Sequence, residues 1–176
     1  MNEANQDWKM LTLFGADQPG IVASVTRVLY GVGAELGEAS MMRLGDQFAI
    51  MMMVRHAGDR AEIMGLLESL KKGMNLKVHV DDLNAHLHRH VESDVMVTVH
   101  GADRPGIVAQ VTHALAQSGL NILDLRSDVA GGAGHPLYLM QIEGEARDGL
   151  EAIERALAGL PDDIEVAMHP IDTVRG

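Results

Sequence analysis

Two stretches carry the residues best suited to bind a ligand: Gly15-Ala16-Asp17-Gln18-Pro19-Gly20-Ile21-Val22-Ala23 and Gly101-Ala102-Asp103-Arg104-Pro105-Gly106-Ile107-Val108-Ala109. They lie 86 positions apart, and 11 of 15 positions match when the comparison runs on to Leu29 and Leu115. In each copy an apolar run enters a Pro-Gly turn and an amphipathic run leaves it, so a strand feeds a turn that opens a helix. A helix start presents free backbone N–H groups and a partial positive charge, which suit a carboxylate or phosphate. Gly20 and Gly106 leave no side chain in the way. The same residues also read as pure structure, with Pro fixing φ, Gly allowing a tight approach and Asp capping the helix.

Asn121, in Ser118-Gly119-Leu120-Asn121-Ile122, stands where the first helix of the second copy hands over to its next strand. Its amide offers an acceptor and donors, matching the carboxylate and ammonium of a free amino acid. The other reading is an Asn tolerated in a turn at positive φ. His86-x-His88-x-His90, with His79 upstream, points three imidazoles to one side of an extended segment and suits a divalent cation. It reads equally as a solvated linker rich in His. No carboxylate or Cys completes a recognised spacing, so neither a metal site nor a cofactor is assigned. No nucleophilic triad, Walker loop or dinucleotide fingerprint is present, and no catalytic residue is assigned. The chain reads as non-enzymatic.

The elements that must position these residues follow from periodicity. Strand Trp8 to Phe14 precedes a helix with Ile21, Val22, Val25, Val28, Leu29 and Val32 on one face, ended by Gly31 and Gly33. A strand from about Ala34 to Leu44 turns at Gly45-Asp46 into Gln47 to His56, apolar on both alternating faces. A helix with Ile63, Leu66, Leu67 and Leu70, capped by Gly73, leads to strand Leu76 to Val80. The second copy repeats this order with strands Asp94 to His100, Leu120 to Ala130, Leu137 to Gly144 and Ile164 to His169. Its helices run from Gly106 to Ser118 and through Leu150, Ile153, Leu157 and Leu160, and a long hairpin loop spans 131–136.

The predicted fold class is α+β, two tandem ferredoxin-like βαββαβ domains with antiparallel sheets. Residues 1–82 form the first domain, 83–93 a His-rich linker and 94–176 the second domain. Apolar outer faces are expected on both sheets, and their cover would be another sheet, from the sister domain or from a second chain in a homo-oligomer.

A net charge of −11 with only 14 basic residues opposes phosphate binding, which excludes direct nucleic-acid contact as the main activity. Regulation, if it reaches genes, would pass through another protein or a small molecule. No apolar run is long enough to span a bilayer, so no membrane partner is expected. The chain has no cysteine and its first residues lack the basic and apolar regions of a signal peptide, the pattern of a cytoplasmic protein. The 12 methionines and 3% aromatic content indicate a core and interface filled by adaptable aliphatic side chains.

The repeated turn with GADQPGIV and GADRPGIV, followed by GLNI, resembles tandem ACT domains, small regulatory modules that bind amino acids. Because the pair makes up nearly the whole chain, it is most similar to the glycine cleavage system transcriptional repressor group. The stretch Arg43-Leu44-Gly45-Asp46-Gln47-Phe48 through Met51-Met52 also resembles the first-domain hairpin of that group. The resemblance implies a small amino acid, glycine or serine, held between paired modules by the turn of one and contacts from its neighbour. The matching residues are Asp17, Gly20 and Ile21, then Asp103, Gly106 and Ile107, together with Asn121. It further implies contact with a transcriptional activator protein, relieved by glycine; a stand-alone sensor acting on an enzyme or transporter is the alternative. Glu35 stands where the first copy would have the Asn. A carboxylate there suits an ammonium but repels a ligand carboxylate, so two equivalent sites are not expected and one competent site, at the second turn, is.

Overall fold

The computed structural model describes residues 8–83, 91–130 and 137–171. They fall into two compact units, Met1–Arg89 and His90–Gly176. The first unit runs β1 (Trp8–Ala16), α1 (Ile21–Gly31), β2 (Glu35–Leu44), β3 (Gln47–Arg55), α2 (Arg60–Gly73) and β4 (Lys77–Asp82). The second runs β5 (Val95–Ala102), α3 (Ile107–Gln117), β6 (Leu120–Ala130), β7 (Leu137–Ala146), α4 (Leu150–Leu157) and β8 (Ile164–Pro170). Each builds a four-stranded antiparallel sheet, ordered β2-β3-β1-β4 and β6-β7-β5-β8. This is the predicted α+β, βαββαβ fold, twice over.

Alternation decides which residues each sheet buries. In the first unit Leu11, Leu13, Phe48, Ile50, Met52 and Val54 pack against Ile21, Val25 and Leu29 of α1 and Ile63 and Leu67 of α2. In the second, Val95, Val97, Val99 and Ile142 meet Ile107, Val111 and Leu115 of α3 and Ile153 and Leu157 of α4. Helical spacing i, i+4, i+8 puts the three buried residues of α1, and of α3, on one stripe. Truncating Leu67 or Ile153, both fully buried, costs about 2–5 kcal/mol through lost transfer energy and a residual cavity.

Three expectations about local structure need correction. Gly73 is the last residue of α2, and the chain reverses through Asn75 at φ 50°, the one non-glycine positive φ among the described residues. Leu160 lies beyond α4, although it still packs on the core. The apolar outer face holds for the first sheet only. The second sheet's outer rows carry Asp124, Arg126, Asp128, Glu143, Glu145 and Glu165 by register with the buried rows. The predicted linker and long hairpin loop, with His86, His88 and His90, fall largely outside the described residues. Among the described residues no helix is long and apolar enough to cross a membrane.

Candidate functional site

The repeated turns adopt one conformation. Gly20 (φ 88°, ψ 2°) and Gly106 (φ 93°, ψ −7°) are the N-cap residues of α1 and α3, both left-handed. A Cβ at either would meet nothing within 4 Å, so the demand for glycine is conformational rather than steric. Their carbonyls accept the first intrahelical bonds, from Ser24 and Gln110, each at 2.9 Å. Among the described residues no side chain caps either helix. Asp17 and Asp103 are therefore not caps, which corrects the structural reading of the motif. By contrast, Asp59 caps α2 by accepting from the Glu62 N–H at 2.8 Å. The first-turn N–H groups of α1 and α3 have no protein acceptor among the described residues. Ile21 and Ile107 are buried, so only their backbone faces a ligand.

Position 18 of the first turn and position 104 of the second tether it to the loop entering the unit's last strand. Gln18 Nε2 donates to the Met74 carbonyl at 2.9 Å. Arg104 reaches Asp163 through Nε at 2.7 Å and Nη2 at 3.1 Å, and Gln110 Oε1 at 3.2 Å. The guanidinium holds the Asp163 carboxyl below its ordinary value, and the carboxylate raises Arg104 in turn. Sequence reading missed Asp163, because a partner 59 residues away leaves no local signal.

The two copies differ in which polar groups are already engaged. Asp17 forms an ion pair with Arg43 Nε at 2.7 Å, and its backbone N–H donates to Asp46 at 2.8 Å. Asp103 is exposed and, among the described residues, its carboxylate has no hydrogen bond or ion pair. Glu35 is paired with Arg55, whose guanidinium lies 5.5 Å from the Trp8 ring centroid. The Arg55 guanidinium thus already occupies the Glu35 carboxylate, which the sequence offered to a ligand ammonium. Asn121 is half-buried in strand β6 opposite Glu145, and its side chain has no hydrogen-bond partner among the described residues. It is not in a positive-φ turn.

The structure brings Asp103, Gly106 and Ile107 together, and likewise Asp17, Gly20 and Ile21. It does not bring Asn121 to the second turn of its own unit. Asn121 is opposite Glu145, whereas Ala102, at the turn, is opposite Leu137. Eight residues of β7 separate those positions, about 26 Å at the rise of an extended strand. An open cavity of about 320 Å³ lies nearer Asn121, at the β6 bulge, lined by Glu92, Ser93, Leu123, Asp124 and Glu143 among others. His79 Nε2 donates to the Asp81 carboxylate at 3.1 Å, and no cluster of three metal-ligating residues occurs among the described residues.

Comparison with known proteins agrees with this architecture. The ACT domain profile matches residues 10–81 and again 93–170. The glycine cleavage system transcriptional repressor of Escherichia coli (strain K12) is 25% identical over 128 residues, 72% of this chain and 67% of that protein. A crystal structure of a protein from Galdieria sulphuraria superposes with a TM-score of 0.79 at 24% identity, covering 95% of this chain and 99% of the other. Another, of a candidate glycine cleavage system transcriptional repressor, gives 0.71 at 18% identity and covers 94% and 98%. These two establish the fold. With both units matched and both turns built alike, the chain belongs to the ACT domain family.

Proposed function

We propose that the chain is a non-enzymatic regulator that senses a small amino acid, glycine or serine, at its second turn. The observation that carries this reading is the asymmetry between copies: among the described residues Asp103 is unpaired beside open α3 amides, whereas Asp17 is held by Arg43. A ligand carboxylate sits on the N–H groups of Ile107, Val108 and Ala109, where the helix dipole favours negative charge. The ligand ammonium meets the Asp103 carboxylate. Asn121 belongs to the same event only as a contact from a second copy of the chain, since it stands at the far end of its own sheet.

Binding then changes affinity for a protein partner by a coupling of about 1–3 kcal/mol, provided the ligand distinguishes two arrangements of the chain. Distant homology to the Escherichia coli repressor supports a transcriptional activator as that partner and expression of the glycine cleavage system as the controlled output. The net charge of −11 supports contact with protein rather than with DNA. Calorimetric titration with glycine and serine tests the sensor. Saturable binding that is lost in Asp103→Ala and kept in Asp17→Ala is expected. Absence of binding to any amino acid would overturn the reading, leaving the turns structural.

A further inference from the structure

Among the described residues of the first unit, α1 and α2 cover only the inner face of the sheet, and the outer face is apolar along its centre with the Glu35–Arg55 pair at one end. Its central rows are Trp8, Met10, Thr12 and Phe14 on β1, and Met53, Met51 and Ala49 on β3. Strand β2 adds Ser40, Met42 and Leu44, and β4 adds Lys77, His79 and Asp81. Phe14 is 44% exposed and Met42 59%, and by register they stand on one face, the kind of shared apolar surface that marks an interaction site. Methionine and aromatic side chains are the residues that interface cores favour. The corresponding face of the second sheet is charged and is not a surface of the same kind.

The arrangement of charge along β4, and of bulk along β1 and β3, is antisymmetric about one line, while the Glu35–Arg55 ion pair at the Trp8 end of the face is neutral as a pair. Thr12 is opposite His79 on one side and Met51 on the other, and Met51 is opposite Ser40. That row crosses all four strands. Two residues from it along β4, Lys77 lies on one side and Asp81 on the other. Lys77 Nζ sits 5.2 Å from the Phe14 ring centroid, and Asp81 is held by His79 at 3.1 Å, so both charges are anchored to the face. Bulk follows the same rule. At one end the Trp8 ring lies over Gly37 and Met53, where a Cβ on Gly37 would come within 2.9 Å of the ring. At the other end the positions matching Trp8 and Met53 are Ala16 and Ala49.

We propose that this face is the interface with the same face of a second copy of this chain, about a two-fold axis along the Thr12–Met51 row. Rotation about that line sets each Lys77 over the partner copy's position 81, an aspartate, and each Trp8 over small residues. Such an interface is isologous and closes on itself, as most homodimers do. Two sheets packed in this way lie about 10 Å apart with their strands nearly aligned. The pairing does not depend on any ligand, and stands apart from the amino-acid reading.

The test is the oligomeric state of the full chain by sedimentation equilibrium, with circular dichroism as the control for folding. Wild type is expected to dimerise at micromolar concentration. Met51→Glu places two like charges on the axis and is expected to raise the dimer dissociation constant about a hundredfold. Lys77→Asp alone and Asp81→Lys alone each set like charges together, weakening the dimer about tenfold or more. The double exchange, Lys77→Asp with Asp81→Lys, restores it, which no interface other than this two-fold would produce. A monomeric wild type, or single exchanges that leave the mass unchanged, or a double exchange as weak as the singles, would each overturn the proposal. The exchanges lie at exposed positions of an edge strand, so they remain informative even if Met51→Glu unfolds.

Discussion

Arg104 grips Asp163 with two parallel N–H···O bonds, at 2.7 and 3.1 Å, tying the second turn to the loop that enters β8. Gln18 makes the equivalent tie in the first unit with one neutral bond, to the Met74 carbonyl at 2.9 Å. The same geometric task is therefore done by an ion pair in one copy and an amide in the other. Only the ion pair titrates.

The sign of its pH dependence is fixed by the lowered Asp163 carboxyl. Stability from the pair is fully present above the ordinary aspartate value and is lost as pH falls through the lower folded value. NMR titration of the Asp163 carboxyl should give a pKa below the ordinary value in wild type. In Arg104→Ala it should return toward that value. An unchanged titration in the variant would show that the guanidinium is not the cause.

Glycine substitutions separate conformation from space. Gly106→Ala forces an alanine to φ near 93° and should cost about 1–2 kcal/mol, although nothing would clash with its methyl. Gly65, exposed in the middle of α2 with open space at its Cβ, behaves oppositely. Gly65→Ala should gain about 0.5–1 kcal/mol. Chemical denaturation of both variants checks the pair of signs.

Aspartates at helix starts are not equivalent. Asp59→Ala removes the cap of α2 and should lose about 1 kcal/mol. Asp17→Ala removes only a surface ion pair with an Arg43 side chain that is 61% exposed, and should lose less than about 0.5 kcal/mol. Hydrogen exchange in the first turns of α2 and α1 distinguishes the two, with fraying expected only in α2.

At the proposed amino-acid site, Asn121→Ala should weaken glycine binding less than Asp103→Ala does. It should do so only where a second copy is present, because Asn121 stands about 26 Å from its own turn. Titrations of mixed chains, Asp103→Ala with Asn121→Ala, should recover part of the binding that either variant lacks alone. No recovery would remove Asn121 from the site.

Local order was legible in the sequence because it is written in local periodicity. The offset repeat, the order of elements and the stripe Ile21, Val25, Leu29 with its counterpart Ile107, Val111, Leu115 need only the 3.6 and 2.0 periods of helix and strand. The Pro-Gly turn likewise announced two helix starts, since few residues other than glycine tolerate the left-handed N-cap there. What the tertiary structure alone decided concerns partners and faces. Irregular pairing between Leu36 and Ala39, and between Ile122 and Asp124, resets the alternation of β2 and β6 beyond those points, so Glu35 and Asn121 cannot be placed on a face by counting from the hairpins. The second sheet's charged face lies on the hairpin side of its bulge, and alternation separates two faces without saying which one the helices cover; packing of α3 and α4 on the Val95, Val97, Val99 row decides it. The engagement of Asp17 by Arg43, of Glu35 by Arg55 and of Arg104 by Asp163 arises where chain crossings bring distant residues together. So does the placing of Asn121 at the opposite end of the sheet from Asp103: α3 carries the chain back along the full length of the sheet before β6 begins.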